Sequence, residues 1–193
     1  MTEPASRALP ARARIVVIGG GVGGSSVAYH LALAGERDVV VLDRNELTSG
    51  STFHSAGLVG QLRSDPTLTA MNRYSVELYR TLQAGDNPPG WVECGSIRLA
   101  SSQERWEEIS RQAGWAATSG LELQQISAAE AQELFPLMVT DGVVCAAYLP
   151  TDGQVDPSQL TYSLAAGARA MGVQFHTHTR VLGIDTEGEG LRR

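Results

Sequence analysis

Two short apolar runs, Ile15-Val16-Val17-Ile18 and Val39-Val40-Val41-Leu42, frame the start of the chain. Both are rich in β-branched residues and uninterrupted by polar positions, as suits parallel strands covered on both faces. Between them Val27, Leu31 and Ala34 recur at helical spacing. The spacing predicts a helix over 22–34, with Gly35 as its stop. A strand, a helix and a second strand in this order make a βαβ unit.

Residues 44–65 show little periodicity and many small side chains, which predicts a long loop; such loops inside compact domains are usually functional. Asp65-Pro66 then opens a helix whose apolar stripe is Leu68, Met71, Ser75, Leu78 and Leu82. The run GDNPPG at 85–90 breaks the chain and marks a domain boundary. Beyond it, strands are predicted at 95–100, 121–126 and 143–149. Ser101 and Glu104 have capping-box spacing for a helix that buries Trp106, Ile109 and Ala113. Ser127 and Glu130 repeat the device for a short helix stopped by Pro136. Asp156-Pro157 opens a helix through Leu160, Leu164, Ala168 and Met171, ended by Gly172. The strand at 173–177 returns to the opening domain as the third strand of its parallel sheet, and 181–184 begins another. The expected organisation is a disordered tail over 1–13, one α/β domain from 14–90 and 150–193, and an α+β segment over 91–149 inserted in it.

Composition narrows the partners. Fifteen Lys and Arg against 21 Asp and Glu give a net charge of -6, which argues against nucleic acid or an anionic membrane surface. No apolar run approaches the roughly 20 residues of a membrane span. Two cysteines, Cys94 and Cys145, make no disulfide framework and read as core thiols of a reducing compartment. The polar, basic first residues lack the apolar centre of a secretory signal. A cytoplasmic setting follows, with the mitochondrial matrix as the alternative: Arg and Ser suit a presequence, while Glu3 and two prolines oppose it.

Candidate chemistry begins with Gly19-x-Gly21-x-x-Gly24, placed after a strand and at the start of a helix. Gly19 allows the tight turn, Gly21 lets backbone approach a pyrophosphate, and Gly24 permits close helix-to-strand packing. The helix N-terminus offers unpaired N–H groups and the positive end of its dipole to phosphate. Asp43 ends the second strand, where a carboxylate can take ribose hydroxyls and disfavour a 2′-phosphate. A Rossmann-like dinucleotide site is therefore expected. The loop after Asp43 supplies Ser51 and Thr52 hydroxyls and then His54, and this extra cover favours FAD over NAD.

The stretch ELTSGSTFHSAGL, preceded by VVVLDR, resembles the FAD-dependent amine oxidoreductases that include dimethylglycine dehydrogenase, dimethylglycine oxidase and sarcosine dehydrogenase. The resemblance continues through CGSIRLASS, AAEAQELFPL and DGQVDPSQL. It implies oxidation of the C–N bond of a small N-methylated amino acid, with the one-carbon unit released by hydrolysis or passed to folate. It implies that His54 carries the flavin covalently at the 8α carbon. It also implies phosphate and ribose contacts at Val22, Gly23, Asp43, Arg44, Ser51, Thr52, Phe53 and Leu58, and an adenine contact from the backbone of Val181. Phe53 stands where many relatives carry Trp. The alternatives are a D-amino-acid or glycine oxidase-like flavoenzyme with non-covalent FAD, and an inactive remnant.

Other candidates are weaker. His176 and His178 sit at i and i+2 on a predicted strand and read as a polar face rather than a metal pair, since no third ligand is evident. Trp106 and Trp115 read as packing residues. Arg63 and Tyr74 are candidates to face a substrate carboxylate.

By the resemblance, the flavoprotein part needs roughly twice this length, so the chain reads as an N-terminal portion that holds the cofactor. Its catalytic acid and base are not assigned, and the electron acceptor belongs to the intact enzyme. The expected outcome is that the purified 193-residue chain turns over no amine. A soluble monomer with steady N-demethylation activity would overturn that expectation.

Overall fold

A computed structural model describes residues 8–186. Residues 1–7 of the expected tail and the closing 187–193 lie outside the described residues; 8–13 carry no helix or strand. The chain divides into two compact units: 1–56, 82–90 and 156–193, and 57–81 with 91–155.

The first unit holds a three-stranded parallel sheet in the order β1 (Ile15–Ile18), β2 (Val39–Leu42), β8 (Gln174–His176). Register runs Ile15 to Val39 and Val40 to Gln174 across the sheet. The strand from 173–177 thus pairs where the pattern put it. Helices α1 (Val22–Leu33) and α5 (Pro157–Ala170) supply Ala28, Ala32 and Ala168 to a core with Val39, Val41 and Val173. Asp156 caps α5 by accepting the amides of Ser158 and Gln159. Gly35, at φ +93, completes a Schellman ending of α1, with Gly35 N–H donating to Ala32 and Glu36 N–H to Leu31.

Three expectations about this unit change. The strand β1 is not covered on both faces: Val16 and Ile18 are 51% and 56% exposed while Ile15 and Val17 face the core. The two helices cover one side of the sheet, so β1 alternates. The buried stripe of α1 is Ser25, Ala28 and Ala32, with Val27 and Ala34 exposed. Small residues let α1 lie close on α5, and a stripe of small residues carries little hydrophobic signal. Residues 181–184 form no strand, and Leu182 and Ile184 are exposed.

The second unit is α+β. An antiparallel sheet β4 (Ser96–Ala100), β6 (Cys145–Leu149), β5 (Gln124–Ile126), in that order, carries α3 (Gln103–Thr118). Ile109, Ala116, Leu121, Leu123, Ala147 and Leu149 close its core, with Trp106 and Ala113 packed alongside. The α3 cap is Ser102, whose hydroxyl accepts Arg105 N–H at 3.2 Å, one residue beyond the expected Ser101. The capping box of α4 (Ala128–Leu134) forms as expected between Ser127 and Glu130. Hydrogen bonds from the Ser127 backbone and hydroxyl hold the Glu130 carboxyl below its ordinary value. Its contribution is present above the ordinary carboxylate pKa and is lost as pH falls through the lowered one.

The boundary at 85–90 misses part of this unit. Residues 57–81, expected in the cofactor domain, belong here because polar contacts bind them. Strand β3 (Leu58–Val59) pairs with β7 (Gly153–Gln154). Helix α2 (Pro66–Gln83) buries Thr69 and Val76 rather than Leu68 and Met71, which are exposed. Its inward face bonds as well as packs: Asn72 donates to the Gly60 carbonyl and Arg73 to that of Ser119. Cys94 is exposed in the turn before β4, and Cys145 is partly buried.

Ile109 has no exposed surface. Ile109→Ala is expected to cost about 2–5 kcal/mol through lost burial and a residual cavity. Urea unfolding followed by the fluorescence of Trp106, which packs on that core, checks it.

Candidate functional site: a glycine-floored cleft

The cleft of the first unit is built at the carboxyl ends of β1 and β2, where parallel α/β sheets place ligands. Gly19 leaves β1 at φ +105 and donates its N–H to the Leu42 carbonyl at 2.8 Å. Gly24 then packs so tightly that a Cβ there would overlap the Gly19 carbonyl oxygen. This contact sets where α1 begins. Val22, Gly23 and Gly24 form its first turn, which contains no acidic residue, so the positive dipole end is unneutralised.

A second wall comes from 44–52. The one-turn helix Ser51–His54 places the Thr52 hydroxyl 3.0 Å from Val22 N–H, which donates to it. A Cβ on Gly21 would stand 2.8 Å from that same oxygen. Asp43 carboxylate oxygens accept the amides of Gly20 at 2.6 Å and Asn45 at 2.8 Å. Thr48 turns the wall with a φ of 71, rare for a β-branched residue. The third wall is 179–181, tied down by Thr179 N–H to the Asp43 carbonyl at 2.7 Å.

The cleft these walls enclose has a volume of about 490 Å³. Gly19, Gly21, Asp43, Arg44, Ser51, Thr52 and Val181 all line it. The space beside Gly19 is a cradle that a Cβ would enter, with no other atom within 4 Å of it. A dinucleotide pyrophosphate fits this donor set: a bare glycine turn, a helix N-terminus, two hydroxyls and the cations Arg44 and Arg180. Phe53 and His54 do not line the cleft. They are exposed at the end of the one-turn helix, with ring centroids 5.7 Å apart and edge to face. Leu58 lies in the second unit on β3, 80% exposed.

Sequence reasoning missed Asn45, Thr48, Ser49, Gly50, Thr179 and Arg180 on the lining. Only the small-residue run around 48–52 signalled the first group; nothing in composition marks Thr48 as left-handed. His176 and His178 do not share a face. His178 has φ 51, has left the strand, and meets Glu46 at 2.7 Å. Trp115, expected to pack, is 53% exposed. Arg63 lines a cleft of the second unit, and Tyr74 is absent from that lining.

Residues 14–193 match the family described as FAD dependent oxidoreductase. The chain belongs to that family. FAD is accordingly the cofactor of the family to which the chain belongs. Among relatives of this FAD-dependent oxidoreductase chain, rat mitochondrial dimethylglycine dehydrogenase is 44% identical over 166 residues, 84% of this chain and 19% of its own length. Human mitochondrial sarcosine dehydrogenase is 38% identical over 193 residues, 97% of this chain and 21% of its own. The chain therefore spans about a fifth of these curated relatives. Among solved structures, L-proline dehydrogenase from P. horikoshii superposes with a TM-score of 0.87 at 31% identity, covering 93% of this chain and 47% of that one. No helix among the described residues is long and apolar enough to cross a membrane.

Gly24→Ala forces the Gly19 carbonyl and α1 apart. The expected cost is about 3 kcal/mol, the upper end for overpacking, with loss of FAD retention. Urea unfolding and flavin absorbance after gel filtration check both.

Proposed function

We propose that this chain is the cofactor-holding part of an FAD-dependent enzyme that oxidises the C–N bond of a small N-methylated amino acid such as dimethylglycine or sarcosine. The observation that carries the proposal is the glycine-floored cleft, with the α1 N-terminus at one wall and the Asp43 carboxylate at another. The similarity to dimethylglycine and sarcosine dehydrogenases supports the choice of substrate.

In this reading Gly19, Gly21, Val22, Gly23 and Gly24 present backbone to the pyrophosphate, and Ser51 and Thr52 add hydroxyls. Asp43 releases the Gly20 and Asn45 amides in part and takes ribose hydroxyls. Arg44 neutralises phosphate charge, and the Val181 backbone borders the adenine. His54 is the point of covalent attachment, with the Phe53 ring beside it. Its support is local: His54 is exposed, and it ends the same one-turn helix that begins on the cleft at Ser51. When bound, FAD supplies the two-electron acceptor for amine oxidation. A folate that captures the one-carbon unit and an electron acceptor complete the reaction in the whole enzyme. The mitochondrial names of the relatives support a matrix location as the alternative to a cytoplasmic one.

The chain refolded with FAD is expected to give a yellow, fluorescent band that survives a denaturing gel. His54→Ala is expected to abolish the band while the native protein still retains FAD. Flavin that leaves the unmodified protein on denaturation would favour the non-covalent, glycine oxidase-like alternative. Failure to retain flavin at all would sink the proposal.

A further inference from the structure

We propose that Glu46 and His178 form a clasp across the rim of the cofactor cleft, and that both are positioning residues for the nucleotide end of FAD. The role of the clasp in binding rests on the FAD reading above; the clasp itself rests on geometry within the first unit.

The clasp holds the wall 179–181. That segment follows β8, and residues 179–186 carry no helix or strand. A segment without a ladder of its own keeps its place through the groups it bonds. Thr179 N–H donates to the Asp43 carbonyl at 2.7 Å, and His178 N–H to that of Asn45 at a long 3.3 Å. A side-chain link reinforces these bonds: His178 Nε2 meets Glu46 Oε1 at 2.7 Å. An ionised carboxylate only accepts, so Nε2 carries the proton and donates it.

Glu46 is anchored on the opposite wall. Its carbonyl accepts Ser49 N–H at 3.3 Å and the Ser49 hydroxyl at 2.8 Å, which closes a turn around Thr48. Thr48 and Ser49 line the cleft, as do Thr179 and Arg180. One residue therefore holds the Thr48 turn with its backbone and the 179–181 wall with its side chain. Backbone strain marks the same two places. Among the described residues, Thr48 and His178 are the two non-glycine positions with positive φ, at 71 and 51. Such conformations persist only where neighbours over-determine them, and they gather at ligand clamps. The His178 and Glu46 side chains are 67% and 65% exposed, so water screens the pair and its contribution is modest. A few-fold change in nucleotide affinity is the scale that follows.

The test compares the unmodified chain with Glu46→Lys, His178→Asp and the double variant that carries both. Aspartate tolerates a positive φ, and the double variant restores opposite charges in reversed order. FAD binding is read by flavin fluorescence, ADP binding by calorimetry, and exchange of the Thr179 amide by NMR in the cofactor-free chain. Each single variant is expected to weaken FAD and ADP by about three- to tenfold and to speed Thr179 exchange by a similar factor, with the thermal midpoint unchanged. The double variant is expected to return affinity and exchange to within about twofold of the unmodified chain. Affinity unchanged in the single variants, or a loss that the double variant does not restore, overturns the proposal. In a chain that binds no FAD, exchange that quickens in the single variants and recovers in the double one upholds the clasp while removing the FAD reading; exchange left unmoved removes both. FAD binding that neither single variant weakens removes the clasp and leaves the FAD reading standing.

Discussion

The contact of Gly24 with the Gly19 carbonyl is the constraint on which the first unit depends. A side chain at Gly24 would push α1 away from β1, whereas Gly19 is held to glycine by its positive φ. The helix N-terminus would then no longer point into the cleft. Everything polar in the site is referenced to that helix start. The Thr52 hydroxyl meets Val22, and the Asp43 carboxylate meets Gly20. The site is thus positioned mainly by backbone, with side chains as struts.

This division explains what was legible in the sequence. Glycines that must be glycine, a carboxylate at a strand end and strongly apolar four-residue strands each leave an unambiguous mark. So do the caps at Ser127 and Asp156, because a cap needs a particular side chain at a particular offset. The helix faces left no such mark. Ser25, Ala28 and Ala32 bury in α1 because they are small, and α2 turns Thr69 and Asn72 inward because they bond. Hydrophobic periodicity reports greasy burial, not close approach or polar anchoring. The positive φ of Thr48 was hidden for a related reason: its neighbours hold it there, and its own chemistry does not ask for it.

The second unit is organised around a polar centre. Asp152, buried and among the described residues without a salt-bridge partner, collects amide, carboxamide and hydroxyl donors from residues 61 and 96. Those two residues come from the loop after β3 and from β4, so one carboxylate fixes segments distant in sequence. Leaving any of these donors unpaired costs more than the bond itself contributes. That is why residues 57–81 cohere with this unit even though the glycine- and proline-rich break at 85–90 suggested otherwise.

The two clefts show different economies of charge. In the first, the positive partial charges come from backbone and a helix end, and the flanking Arg44 and Arg180 are exposed to water. Backbone partial charges cannot be removed by single substitutions that keep the fold, so a pyrophosphate site made this way is tied to the fold itself. In the second, whole charges on Arg63 and Arg98 line one cleft with the Asp152 carboxylate, which is bonded to Gln61 and Ser96. The glycine pattern of the first cleft is therefore readable in the sequence, whereas the meeting of Arg63 and Arg98 on one cleft becomes visible only when the chain folds.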